Sequence, residues 1–406
     1  MSSGPRGKLL TVREILGRRF GGDPLTNVAV VGIGYEGFPP ETPQYSFKEL
    51  MFEAALKAYE DAGINPREDV DSFITCAEDY LEGWSISDEG MPDQLGGVLR
   101  SFCTIPADPI AGLASAFMQI KTGFFDIVVV EAHSKASDIL TYEGILTFAF
   151  DPIFNRPLNA HPHYLAGLEM DAFLADDENT EEDCAEVVRK NKANARHHEA
   201  ASFGGKISSQ EVMESEVLFR PLKAAEISPL ADGSIVLVLA SAEKAKELTD
   251  QPVWIRGIGW SSDSPWLETR SLREARYADW AAHMAYDMAG IERPRRRMDV
   301  AEVDDRFAYK ELQHLEALGL AGGNRAGALL REGFYEMDGD LPANPSGGSL
   351  GVGNLLEASG LFRVMEIVRQ LRGQAGEHQV DDASLGVAQS WRGIPTATGG
   401  VAVLEA

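Results

Sequence analysis

What most constrains this chain is a strand–helix alternation that runs once near residue 27 and starts again near residue 253. Asn27 to Gly34 is a short β-branched run closed by glycines, which reads as a buried strand and a turn. Ser46 to Ala62 follows as an amphipathic helix, with Ser46 as N-cap, Glu49 completing a capping box and Gly63 as the C′ residue. Val70 to Cys76 is the next strand. Asp108 to Lys121 is a second helix, with Asp108 as cap, Pro109 at the first helical position and Gly123 as its stop. Phe125 to Glu131 is a buried strand. This βαβαβ order predicts a parallel sheet covered by helices. Val253 to Gly259 then repeats the character of Val28 to Gly34, both ending in Gly-Ile-Gly. A helix over about Thr269 to Ala289, a strand at Ala301 to Val303, and a Gly-rich turn with its helix over Gly347 to Arg372 come next. Strands at Ser384 to Gln389 and Gly400 to Leu404 close the chain. The same order of elements in two halves predicts an internal duplication with a period of about 225 residues, far longer than a solenoid repeat. Between the halves, residues 134–225 are polar and read as a helical insertion, a lid or ligand-binding flap.

The 406 residues include 37 Lys+Arg against 63 Asp+Glu, a formal net charge of −26, which argues against nucleic acid or an anionic membrane surface as partner. At 44% apolar, the chain has enough material for a core and too much for disorder. Cys76, Cys103 and Cys184 are too few and too scattered for a disulfide framework or a thiolate metal site. The longest apolar runs, such as Ile127 to Val130 and Ile235 to Ala240, are strand-length and cannot span a bilayer. Residues 1–26 lack a continuous apolar stretch, so no secretory signal is expected and the chain reads as cytoplasmic.

Four segments in order resemble the thiolase superfamily, in particular its sterol-carrier-protein and archaeal branch. They are Glu302-Val-Asp-Asp-Arg-Phe-Ala-Tyr-Lys-Glu-Leu312 with Leu315-Glu-Ala-Leu-Gly-Leu320, and Asn344-Pro-Ser-Gly-Gly348 with Gly353 and Ala358-Ser-Gly360. The others are Ile227-Ser-Pro-Leu-Ala-Asp-Gly233 and Gly123-Phe-Phe-Asp126 before Ile127 to Val130. The resemblance implies an α/β fold of two duplicated βαβαβαββ halves forming a five-layer α/β/α/β/α core with an inserted loop domain. It divides the chain into an N-terminal extension (1–26), an N-terminal half (27–245, with the flap at 134–225) and a C-terminal half (246–406). It also implies a homodimer acting on a coenzyme A thioester, with no covalently bound cofactor and no metal.

The family's chemistry does not transfer residue for residue. Its nucleophilic cysteine belongs at the N-terminus of the helix that begins here near Asp108, where the helix dipole lowers a thiol pKa. Family spacing places Pro106 or Pro109 there, and Cys103 lies upstream, inside the preceding strand. The two family histidines are replaced by Asp304 and by Asn354 in Gly353-Asn354-Leu355, and the C-terminal motif reads Gln389-Ser390-Trp391-Arg392-Gly393. Asn354 can still donate a hydrogen bond to a thioester or enolate oxygen. Asp304 or Asp108 is a candidate base, with Tyr309 and Ser390 as proton carriers. That set suits retro-aldol cleavage of a β-hydroxyacyl-CoA, as in thiolase-like aldolases that work with a small zinc-ribbon/OB-fold subunit. The competing view of Asp304 and Asp305 is that they cap or salt-bridge, with Arg306 as the partner. Two alternatives stay open. One is a non-catalytic scaffold subunit, for which Trp391 would fill the pocket. The other is an ordinary thiolase with Cys103 at the pocket floor.

For the coenzyme A arm, the resemblance points to Ser228, with Gly348, His163 and Tyr164 as further contacts. His161-Pro-His163 and His197-His198 lack carboxylates at ligand spacing and read as solvated loops rather than metal sites. Gly347 to Gly353 lacks the lysine of a phosphate loop and reads as a close backbone approach at a buried turn, and Gly32-x-Gly34 lacks the third glycine of a dinucleotide fingerprint, so no NAD site is expected.

Overall fold

The computed structural model describes residues 28–78, 81, 86–175, 178–323 and 325–406. The expected N-terminal extension and Asn27 lie outside these. The chain opens on β1 (Val28–Gly37) and helix α1 (Phe47–Ala62), capped as its sequence requires: Ser46 and Glu49 form the reciprocal capping box and Gly63 closes it at φ 65°. Strands β2 (Ser72–Cys76) and β3 (Ser101–Thr104), helix α2 (Pro109–Lys121) and strand β4 (Ile127–Lys135) complete the first βαβαβ run. The insertion carries α3 (Pro162–Leu174) and α4 (Glu181–Asn194), and β5 (Asp232–Ser241) returns the chain to the sheet.

The second half repeats the plan with β6 (Val253–Ser262), α5 (Arg276–Ala289), β7 (Val300–Glu302), α6 (Ala308–Ala317), α7 (Ser359–Leu371), β8 (Leu385–Trp391) and β9 (Thr398–Glu405). Strand order makes the duplication visible. The first half is ordered β3-β2-β4-β5-β1 and the second β7-β8-β9-β6, the two meeting at a short antiparallel contact, Ala29 opposite Trp254 and Val30 opposite Val253. In both halves the strand before the last is antiparallel to its neighbours. A lone parallel bridge from Ala301 to Ala343 marks where the second half's third strand would stand.

The Gly-Ile-Gly repeats have one mechanical cause. A Cβ on Gly34 would lie 2.2 Å from the Ala54 carbonyl oxygen of α1, and one on Gly257 only 1.9 Å from the Ala285 oxygen of α5. Each glycine lets a helix press onto its strand, which accounts for these glycines without a nucleotide.

Three apolar clusters separate the layers: one under α1, one between the two half-sheets around α2 and α7, and one under α5 and α6 that takes in the insertion. All thirteen residues of α7 are buried, Arg363, Glu366 and Arg369 included. Two expectations shift. The helix expected from Thr269 begins at Arg276, because Arg270 is drawn inward to the Pro395 carbonyl (2.7 Å) and Glu169 (3.1 Å). The helix expected after Gly347 is broken: a short helical turn at Gly348–Val352, then Asn354 in an isolated parallel bridge to Leu230, then α7.

Candidate active site

Helix α2 starts on the buried residues Pro109 and Ile110, and the buried Asp108 caps it. Its Oδ1 accepts from the Ile110 N–H (3.0 Å) and from the Ser390 hydroxyl, whereas Oδ2 has no partner among the described residues. The helix dipole and these two donors favour the carboxylate. Burial outweighs them and, with Asp304 nearby, pushes the pKa up from 3.8 to about 6. A group of that pKa is mostly ionised at pH 7 and close enough to it to exchange a proton readily.

Asp108 lines an elongated cleft. Around it stand Glu78, Ala107, Tyr142, Leu146, Arg306, Leu356, Arg392 and Ile394. Tyr142, Leu146, Arg306 and Ile394 also line a second space, which ends on His163, Ser228 and Asn354. The two spaces thus share a waist, with Asp108 on one side and Asn354 on the other.

Asn354 is held by its backbone, its N–H on the Pro229 oxygen (2.7 Å) and its C=O receiving the Ala231 N–H (3.0 Å). Its Oδ1 takes the Leu356 N–H (3.0 Å), which leaves the side-chain amide to hydrogen-bond the Tyr142 hydroxyl. Burial raises the Tyr142 pKa, opposed by Arg306 and by Asn354. Tyr142 therefore stays protonated at neutral pH and can donate. Arg306 gives one Nη to the Leu356 carbonyl (2.7 Å), and its Nε is buried without a hydrogen-bond partner among the described residues. Gly393, at φ 103°, makes room for it: a Cβ there would lie 2.5 Å from Nη1. The Ser228 Oγ is buried at the Asn354 end with no hydrogen-bond partner among the described residues, and burial lowers the His163 pKa to about 4, so that imidazole is neutral.

Other expected site residues lie elsewhere. Asp304 does not line the cleft. It sits behind Arg306, its carboxylate 3.3 Å from Arg363 and 3.6 Å from the Arg306 Nε. Although burial acts against ionisation, Arg363 and Arg306 hold its pKa below the ordinary range, so it anchors cations rather than accepting a proton. Tyr309 is wholly buried, with its hydroxyl on Glu169 (3.0 Å). Ser390 reaches the site only through Asp108. Cys103 lies in β3 opposite Ile74, away from the cleft lining, with burial raising its thiol pKa, the reverse of what a nucleophile needs. Cys76, under α2 where a Cβ on Gly112 would meet its sulfur at 2.2 Å, is likewise pushed up by burial. Gly348 packs over the Asp305 carboxylate, and Tyr164 is exposed against Phe219. Trp391 does not fill the cleft. It lies in the core with its indole N–H on the Thr396 carbonyl (2.9 Å) and the Lys310 ammonium 4.4 Å over its ring.

Tyr142, Arg306 and Arg392 were not legible as site residues. Tyr142 sits in the insertion, where no motif carries it, and the sequence offers Arg306 only as an ion-pair partner of its neighbouring aspartates. A buried His198–Glu366–His378 group has metal-ligand geometry, its atoms within 4.8 Å of one another. However, Arg369 places an Nη 3.0 Å from Glu366 and 3.4 Å from His198, so a guanidinium already supplies the cation.

Comparison with known proteins agrees with this architecture. Residues 261–406 match the family model "Thiolase C-terminal domain-like". Sterol carrier protein 2 of Bos taurus is 32% identical over 388 residues, covering 89% of this chain and 69% of that protein. The acetyl-CoA acetyltransferase of Methanothermobacter thermautotrophicus is 28% identical over 94% of this chain and 99% of its own length. A solved structure described as "Ltp2-ChsH2(DUF35) aldolase" superposes with a TM-score of 0.81 at 22% identity, covering 94% of this chain and 98% of that one. The chain belongs to the thiolase superfamily. No helix among the described residues is long and apolar enough to cross a membrane.

Proposed function

We propose that this protein binds an acyl-CoA thioester and makes or breaks a carbon–carbon bond by aldol chemistry, without a covalent acyl-enzyme. One observation carries the reading: at the N-terminus of α2, the place of the family's nucleophile, stands a buried carboxylate with a free oxygen and a pKa of about 6, facing the cleft that Asn354 closes. In the cleavage direction, Asp108 Oδ2 takes the proton of the substrate β-hydroxyl. The O–H electrons form the new carbonyl, and the Cα–Cβ bond breaks. Its electron pair passes into the thioester as an enolate, whose oxygen is stabilised by the Asn354 amide and the Tyr142 hydroxyl beside Arg306. Return of a proton to Cα gives a shortened acyl-CoA and an aldehyde or ketone. Ser390 orients Asp108, and Ser228 and His163 flank the coenzyme A arm.

The same reading divides the chain into halves at 27–245 and 246–406 with a flap at 134–225, and takes the active form as a homodimer. The fold similarity to a complex named with a DUF35 component supports a zinc-ribbon/OB-fold partner subunit for this chain. A scaffold role needs a filled cleft, and Trp391 does not fill it. Calorimetric titration with coenzyme A and β-hydroxyacyl-CoA, alone and with a co-expressed partner, tests the reading. Binding below about 100 μM (roughly −5.5 kcal/mol) is expected, with Asn354→Ala lowering kcat about 10²–10³-fold. No binding in either state would overturn it, as would full activity in Asp108→Ala.

A further inference from the structure

The Asp108 end of the cleft carries two guanidinium groups among the carboxylates of Asp108, Glu78 and Glu357, with Ala107, Leu146, Leu356 and Ile394 as its apolar walls. Arg306 is explained by its place at the waist. Arg392 is not. It directly follows Trp391 at the end of β8, its side chain is only 31% exposed, and one Nη meets Glu78. Among the described residues no other side-chain acceptor for Arg392 is found, and the group lines the cleft. Burial lowers its pKa, because desolvation disfavours the charged form. A cleft for a plain hydrocarbon chain has no use for such a group. A planar fork of donors at a half-desolvated wall matches a carboxylate, which it can bind through two parallel hydrogen bonds.

We propose that Arg392 is the specificity-determining residue of the cleft, selecting thioesters whose acyl chain ends in a carboxylate. The proposal rests on the acyl-CoA reading above, with coenzyme A entering past Ser228 and the acyl group reaching beyond Asp108. Glu78 then has a defined part. It holds Arg392 in place in the empty cleft and competes with the substrate carboxylate for the same fork, which makes its effect opposite in sign to that of Arg392.

The test compares chain-matched pairs by calorimetry: succinyl-CoA against butyryl-CoA, and glutaryl-CoA against pentanoyl-CoA, with coenzyme A alone as a third arm. Wild type is expected to bind at least one carboxylate-ended thioester about tenfold or more tightly than its neutral match. R392Q should level the pair, R392K should keep part of the preference, and E78Q should widen it. Equal affinities within both pairs in wild type, or a preference that survives R392Q, would overturn the assignment while leaving the acyl-CoA reading intact. Coenzyme A and all four thioesters failing to bind would overturn that reading and this one with it. An R392Q protein that binds neither member of a pair is checked by its unfolding curve. If it is folded, Arg392 serves binding in general and does not select.

Discussion

Replacing Asp108 with Asn should make the protein more stable at neutral pH while removing its candidate base. Asp108 is 1% exposed, and its pKa rises from 3.8 to about 6 because burial disfavours the charged form. The folded state therefore binds the proton more tightly than the unfolded chain does. Stability contributed by the protonated group is fully present below pH 3.8 and is lost as pH rises through about 6. The two pKa values differ by about two pH units, equivalent to ~3 kcal/mol at 1.36 kcal/mol each. Asn keeps an acceptor for the Ile110 N–H and the Ser390 hydroxyl but carries no charge. The stability of D108N minus that of wild type should climb by ~3 kcal/mol between pH 4 and pH 8, with its midpoint near pH 5. Subtraction cancels other buried acids such as Glu302 and Asp305, whose pKa values are raised to about 8 and about 6. Urea unfolding of both proteins across that range reads it directly. A difference that stays flat with pH, or one that falls, would refute the claim that Asp108 is a charge held at a cost.

On the proposed chemistry, kcat/KM for cleavage should rise with pH through about 6 as Asp108 ionises, and a pH–rate profile without that limb would remove Asp108 as the base. Gly34→Ala and Gly257→Ala should each cost about 3 kcal/mol or prevent folding, since the added methyl meets a helix carbonyl at 2.2 and 1.9 Å. Denaturant midpoints unchanged in both would show that the helices can back away. Glu366→Gln should destabilise by up to about 3–5 kcal/mol at pH 7, because it removes the buried anion that His198, His378 and Arg369 share and leaves Arg369 only the partly exposed Glu199. His198, His378 and Arg369 hold the Glu366 pKa well below 4.5, so its contribution is present at neutral pH and is lost as pH falls through that depressed value. The gap between variant and wild type should therefore narrow in strong acid, and thermal melts at pH 7 and pH 3 compare the two.

Much of the architecture was legible in the chain because it depends on local rules. Ser46 with Glu49, and Asp108 with Pro109, announce helix starts through backbone donors that must be met within three residues. The two Gly-Ile-Gly runs announce two copies of one strand–helix contact, since each glycine answers a helix lying directly over it. Asn354 and Asp108 could be proposed as site residues from motif position alone. Their protonation behaviour could not. Asp304 and Asp108 look alike in sequence, yet Arg363 from α7 and Arg306 depress one while burial raises the other. Helix boundaries failed where a long-range pair intervened, as when Arg270 turned inward to Glu169 instead of joining α5.

The sequence by itself determined the order of elements, the duplication and the loss of the family's cysteine and histidines, because periodicity, caps and residue identity are properties of neighbours along the chain. Only the tertiary structure decided which carboxylate has its pKa raised and which has it depressed. It also brought Tyr142 from the insertion to Asn354, and left Arg392 facing a cleft rather than solvent. Those outcomes depend on desolvation and on charges that become neighbours only when residues 108, 142, 306, 354 and 392 are folded into one place.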